Sequence, residues 1–250
     1  MTSKSAHTQY QSLEGRKVLI TGGTTGLGRA IALRLSAEGA KVLIFGRHQR
    51  ELEDAMKDIR QNSPEARGMV ADVTNPEDVE RVFKTVDEEL GGLDVLINNA
   101  AVGADALSEV SDEEREYALM TNISGYLRCA KRALERMKEN SHIVLLGSIS
   151  ADRKSPGSSI YVATKSAIQG FAESFRQEAS QTGVKVSLLE PGKTGSDMID
   201  QNVEEQRESQ ENLEMLKAED IAVCVEYILT QPARCTVSDV KIVPARTARE

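Results

Sequence analysis

The sequence predicts a three-layer α/β/α protein built on a doubly wound parallel sheet of about seven strands. Three observations lead there. After Gly15, short apolar runs alternate with amphipathic stretches almost to the end of the chain. The short runs are apolar throughout, as strands covered on both faces must be. No Pro/Gly/Ser-rich linker, internal repeat or low-complexity tract interrupts them. Parallel strands joined by right-handed helical crossovers then wind outward in both directions from a central point.

The elements follow in order. Lys17–Thr21 (KVLIT) is the first strand. Residues 26–38 form a helix, with Leu27, Ala30, Ile31 and Leu35 at helical spacing and Gly39 as its stop. Residues 41–45 (KVLIF) are the second strand, 49–61 the second helix and 68–71 the third strand. Asn75 caps a helix that has Pro76 at its first position, where a missing N–H costs nothing. The apolar stripe of that helix is Val79, Val82, Phe83 and Val86. Residues 93–97 (LDVLI) are the fourth strand. Ser111 and Glu114 have capping-box spacing, and the helical region they open reaches about Lys138, with a break near Met120. His142–Leu146 is the fifth strand, 158–181 a long helix and 184–189 the sixth strand. A polar segment separates these from a helix over Ala218–Leu229 and a last strand over 237–243. Residues 1–15 read as a loose tail and 16–250 as a single domain.

Composition excludes several function classes. The 250 residues carry 31 basic and 39 acidic side chains, a net charge of −8 that argues against a general nucleic-acid surface. Cys129, Cys224 and Cys235 lie in no C-x-x-C, and His7, His48 and His142 are scattered, so neither a disulfide scaffold nor a metal site is expected. No stretch approaches the roughly 20 apolar residues of a membrane span. The polar start lacks the apolar core of a signal peptide, so a cytoplasmic protein with no membrane partner is expected.

The first strand runs into Thr21-Gly22-Gly23-Thr24-Thr25-Gly26-Leu27-Gly28 and then a helix. Glycines at 22, 26 and 28 remove side chains where a diphosphate would meet the backbone, and the helix N-terminus offers free N–H groups to the anion. This Gly-x-x-x-Gly-x-Gly spacing resembles the single-domain branch of the short-chain dehydrogenase/reductase family. The resemblance spans about residues 17–243 and implies a Rossmann fold that binds NAD(H) or NADP(H).

The end of the second strand bears on which cofactor. Gly46 stands where NAD-type members have Asp, and Arg47 follows it. A guanidinium can bind a ribose 2′-phosphate that a carboxylate would repel, so NADP(H) is favoured over NAD(H). The alternative reading of Arg47 is a solvated loop charge. A second basic residue of NADP-type relatives is replaced by Thr25. The resemblance assigns cofactor binding to Gly22, Thr24, Thr25, Gly26, Leu27, Gly28 and Arg47, and to Asp72 and Val73 at the adenine edge. It extends the assignment to Asn99 and Ala100 after the fourth strand, to Tyr161 and Lys165, and to Pro191, Gly192, Thr194 and Ser196 beside the nicotinamide. Ala101 replaces the usual Gly of an Asn-Asn-Ala-Gly motif.

Tyr161 and Lys165 share a helix face, and Ser148 lies 13 residues before Tyr161. A chance Tyr-x-x-x-Lys is expected about 0.26 times in this composition, and about 0.02 times once that serine is required. The residue types suit reduction of a carbonyl. A free phenol holds its proton too tightly to act as a base near neutrality, and an ammonium beside it eases that hold. A serine hydroxyl can orient the reacting oxygen. The resemblance makes Ser148, Tyr161 and Lys165 catalytic and adds Asn122, which would hold a water linking Lys165 to solvent. Taken alone, Asn122 is equally a helix cap or irregularity.

The expected function is therefore an NADP(H)-dependent oxidoreductase acting on a small carbonyl or alcohol, with homodimers or homotetramers implied by the resemblance. A cofactor-binding regulator without turnover and a nucleotide-sugar epimerase or dehydratase are the alternatives. Residues 193–217 are expected to form a substrate lid, with Met198, Ile199 and Val203 on its inner face. The acidity is local: nine carboxylates against two bases between Asp197 and Asp220 leave the rest of the chain almost neutral.

Overall fold

The computed structural model describes residues 8–196 and 201–246. Its strands are β1 (Lys17–Thr21), β2 (Lys41–Gly46), β3 (Arg67–Val70), β4 (Val95–Asn98), β5 (His142–Leu146), β6 (Lys185–Pro191) and β7 (Asp239–Ile242). They form one parallel sheet in the order β3-β2-β1-β4-β5-β6-β7. The winding direction reverses between β1 and β4, where Ile20 pairs with Ile44 on one side and Ile97 on the other. A crevice opens beyond the strand ends at such a reversal, and the site is built there.

The continuous apolar runs are explained by two cores. Leu19, Leu43, Leu96, Ile143 and Leu145 face a layer made by α3 (Pro76–Thr85), α5 (Tyr126–Leu134) and α7 (Ser159–Ser180). Val18, Ile20, Ile44, Ile97 and Val144 face the opposite layer of α1 (Gly26–Ala37), α2 (Gln49–Asn62) and α9 (Ala218–Leu229). Every second residue thus meets a different helix layer, so both must be apolar.

Local signals placed most boundaries within two residues. Asn75 caps α3 by accepting from the N–H groups of Glu77 and Asp78, and the Ser111/Glu114 box opens α4 (Asp112–Leu119). The break near Met120 is a π-helical turn over Met120–Gly125, which joins α4 to α5. Two short helices were not anticipated: α6 (Ser150–Arg153) and α8 (Val203–Glu211).

Residues 11–15, expected within a loose tail, are instead tied to the domain. Leu13 is buried in the core, Gln11 N–H donates to the Thr230 carbonyl and Gly15 N–H to that of Gly39. Residues 193–217 are closed at their base by a Thr194–Leu216 bridge. The inner-face assignment of Val203 does not hold, since it begins α8 and is 78% exposed. Met198 and Ile199 lie outside the described residues. Glu204, Glu205, Glu208 and Glu211 of α8 are all exposed, so these four acids sit in water.

Candidate active site

The glycine loop is fixed by the last residue of β1. Thr21 Oγ1 accepts from the N–H groups of Asn99 and Ala100, both at 2.8 Å. Asn99 Nδ2 returns bonds to the carbonyls of Thr21 and Gly22 at 3.0 Å. The loop is thereby tied to the end of β4. Gly22 needs its glycine twice over: its φ is +63°, and a Cβ there would stand 2.9 Å from the Ala100 backbone.

Between this loop, β2, β4 and α4 lies a cleft of about 230 Å³. Gly22, Thr24, Thr25, Gly26, Leu27, Arg47, Asp72, Val73, Asn99, Ala100, Tyr161, Lys165 and Ser196 all line it. Gly28 does not. A Cβ at Gly28 would stand 2.1 Å from the Gly22 carbonyl oxygen, so this glycine lets α1 close onto the strand end. Pro191, Gly192 and Thr194 also lie away from the cleft. They line an adjoining pocket of about 460 Å³ together with Ser148, Ser150, Arg153, Ser158 and Lys193. Leu27, Gly147, Tyr161 and Ser196 border both spaces, so Tyr161 stands at their junction.

Tyr161 and Lys165 are on α7, and Ser148 follows β5. Burial pushes the Tyr161 phenol above its ordinary value, and the nearby Ser148 hydroxyl opposes the shift. Ser148 Oγ also accepts from Ser150 N–H at 3.1 Å. Lys165 is 3% exposed, its Nζ lies 5.6 Å from the Tyr161 ring centroid, and it donates to the Leu146 carbonyl at 3.0 Å. Burial draws the Lys165 ammonium down to about 8. Among the described residues no carboxylate lies within ion-pair distance of it.

Asn122 sits in the π-helical turn and is fully buried. Its side chain clamps Val102, accepting from the N–H and donating to the carbonyl, both at 2.8 Å, and donates to Thr164 Oγ1 at 3.2 Å. These bonds make Asn122 a clamp between the strand-end loop and α7.

At the other end of the cleft, Arg47 donates to the Tyr117 hydroxyl and lies over its ring, 5.1 Å from the centroid. Tyr117 in turn donates to Asp72 Oδ2 at 3.3 Å. A Cβ on Gly46 would stand 2.5 Å from Thr24 Oγ1, which leaves no room for Asp there. Sequence reasoning missed Tyr117, Thr121 and Glu51 as cleft residues. The helical spacing of Tyr117 and Thr121 was a usable signal, because positions four apart share a face.

A nicotinamide dinucleotide suits these residues on structural grounds. The loop backbone is exposed to the cleft beside the N-terminus of α1, and two cations without a carboxylate partner among the described residues, Arg47 and Lys165, mark its ends. The sequence profile described as short chain dehydrogenase matches residues 16–207. An uncharacterized oxidoreductase of Staphylococcus aureus (strain USA300) is 34% identical over 237 residues, covering 93% of this chain and 98% of the relative. The crystal structure of a short chain dehydrogenase from Burkholderia cenocepacia J2315 in complex with NADP is 28% identical, with a TM-score of 0.83 over 93% of this chain and 98% of that one. A 3-ketoacyl-(acyl-carrier-protein) reductase from Brucella melitensis, complexed with NADH, is 24% identical and shares the fold, with a TM-score of 0.82 over 92% and 98% of the two chains. With the profile matching residues 16–207 and the Staphylococcus aureus relative covering 93% of the chain, the protein belongs to the short-chain dehydrogenases, a family of NAD(P)-dependent oxidoreductases.

Proposed function

We propose that this protein is an NADP(H)-dependent oxidoreductase interconverting a carbonyl compound and its alcohol, with Tyr161 as general acid and base. The observation that carries the proposal is the position of Tyr161 at the junction of cleft and pocket, sharing the pocket wall with Ser148 and flanked by Lys165. When bound, the nicotinamide donates or accepts the hydride. The chain's own residues handle the proton. In reduction, the Tyr161 hydroxyl gives its proton to the substrate oxygen as negative charge develops there. Ser148 donates a hydrogen bond to that same oxygen and aims it at Tyr161. The Lys165 ammonium stabilises the phenolate left behind, offsetting the upward push of burial. Asn122 acts by holding Val102 and Thr164 around this pair.

In this reading the backbone from Gly22 to Leu27 cradles the diphosphate at the α1 N-terminus, and Asp72 and Val73 meet the adenosine. Asn99, Ala100, Pro191, Gly192, Thr194 and Ser196 surround the nicotinamide half. Arg47, with Gly46 excluding an acid, supports the preference for a 2′-phosphate. The hydroxyl-lined pocket, with Arg153 and Lys193 at its wall, suits a small polar carbonyl compound. Residues 193–217 act as its lid. The protein acts in the cytoplasm as a homodimer or homotetramer, a reading supported by exposed Leu127 on α5 and Val223 and Tyr227 on α9.

The test is Tyr161→Phe, assayed for NADPH consumption over a panel of aldehydes, ketones, keto acids and quinones. Turnover should fall by about 10²-fold or more while NADPH binding persists. Unchanged turnover overturns the mechanism, and a clear NADH preference in the wild type overturns the role of Arg47.

A further inference from the structure

We infer that Tyr117 is a positioning residue for cofactor selection: it holds the Arg47 guanidinium away from carboxylates and ready for the 2′-phosphate. The inference rests on the NADP(H) reading above. Arg47 shares the cleft wall with two acids, Asp72 and Glu51. An arginine beside free carboxylates ordinarily pairs with one, and a paired guanidinium has fewer donors left for a phosphate. Arg47 makes no such pair among the described residues. Its partner is the neutral Tyr117, through a hydrogen bond to the hydroxyl and a cation–π contact at 5.1 Å.

The direction of each bond matters. Arg47 N–H donates to the Tyr117 oxygen, and Tyr117 O–H donates to Asp72 Oδ2 at 3.3 Å. The phenol therefore uses its acceptor for Arg47 and its one proton for Asp72. Asp72 is further satisfied on Oδ1 by the Thr74 N–H and hydroxyl, both at 2.8 Å. Asp72 is thus occupied, and the phenol stands between it and the guanidinium. One Arg47 donor is spent on Tyr117, and the remaining N–H groups of the fork stay available at the cleft mouth. Tyr117 can be rigid because it lies on α4, whose first turn is fixed by the Ser111/Glu114 box.

The experiment is calorimetric titration of the full chain with adenosine 2′,5′-bisphosphate and, separately, 5′-AMP, which differ by the phosphate in question. Wild type should bind the bisphosphate at least about tenfold more tightly, and Arg47→Ala should erase that margin. Tyr117→Leu removes ring and hydroxyl, and should weaken the bisphosphate about five- to tenfold while moving 5′-AMP less than twofold. Tyr117→Phe keeps the ring and should lose only about twofold. Equal weakening of both ligands, or of neither, in Tyr117→Leu overturns the inference while leaving the Arg47 reading intact. No margin in the wild type, or a margin that survives Arg47→Ala, overturns the NADP(H) reading and the inference with it. If the leucine variant does not fold, Tyr117→Phe supplies the comparison: a loss confined to the bisphosphate supports the inference, and an equal change in both ligands, or in neither, overturns it.

Discussion

Replacing Asn122 with alanine should unfold the protein at a markedly lower temperature, because the side chain is a clamp with one buried and two part-buried bonds. Alanine would leave the N–H and carbonyl of Val102 and the Thr164 hydroxyl without that partner. Each such bond is worth a net 0.5–1.5 kcal/mol, so the loss should be about 3 kcal/mol. At this chain length about 2–4 °C accompanies each kcal/mol, which makes the drop in Tm about 6–12 °C. Differential scanning calorimetry of both proteins without cofactor measures it. NADPH affinity should fall as well, since Val102 lines the cleft and loses its tether. A Tm within about 1 °C of wild type, with turnover lost, would refute the clamp and return Asn122 to the water-relay role.

Two further outcomes follow from the same site. Lys165 is drawn down to about 8 from 10.5 by burial, so the unfolded chain binds this proton more tightly than the fold does. Wild-type stability relative to Lys165→Met should therefore rise between pH 8 and 10.5 and stay flat below pH 8 in the cofactor-free protein; denaturant titrations showing a fall instead would reverse the assignment. Gly46→Asp should cost about 1–3 kcal/mol of stability and weaken NADPH binding, because its Cβ meets Thr24 at 2.5 Å. Thr24→Ala in the same chain should restore part of the stability in thermal melts and none of the NADPH affinity.

Much of the fold was legible because burial on both faces leaves no other pattern for β1, β2, β4 and β5. The motifs that bind through backbone were legible for the same kind of reason: at Gly22 a side chain has no space. What escaped was decided by spatial neighbours. Gly28 belongs to the same motif as Gly22 yet serves helix packing, and only the 2.1 Å approach to the Gly22 oxygen separates the two roles. Tyr117 is 70 residues from Arg47 and 45 from Asp72, so no local spacing announces the stack. Helix α8 was missed because it buries no residue, leaving no apolar stripe to read. Its Asn202/Glu205 box was the one local signal present.

The electrostatics of the cleft explain why one fold can both bind an anionic dinucleotide and keep its acids. Burying an ammonium such as Lys165 without a carboxylate is unfavourable, and the shift to about 8 is the measure of that. A carboxylate partner would remove the penalty, but it would also neutralise the charge that the proposed phenolate at Tyr161 calls on. The fold supplies instead one carbonyl, Leu146 O, which Lys165 shares with the Tyr126 hydroxyl at 3.0 and 2.9 Å. A carbonyl orients the ammonium and leaves its full charge directed at Tyr161. The same logic governs Arg47, where a phenol takes the place a carboxylate would have filled. Neutral partners hold both cations, while Glu204, Glu205, Glu208 and Glu211 are confined to the exposed surface of α8. Water screens those four charges, so in the proposed reading they offer little opposition to phosphates at the glycine loop.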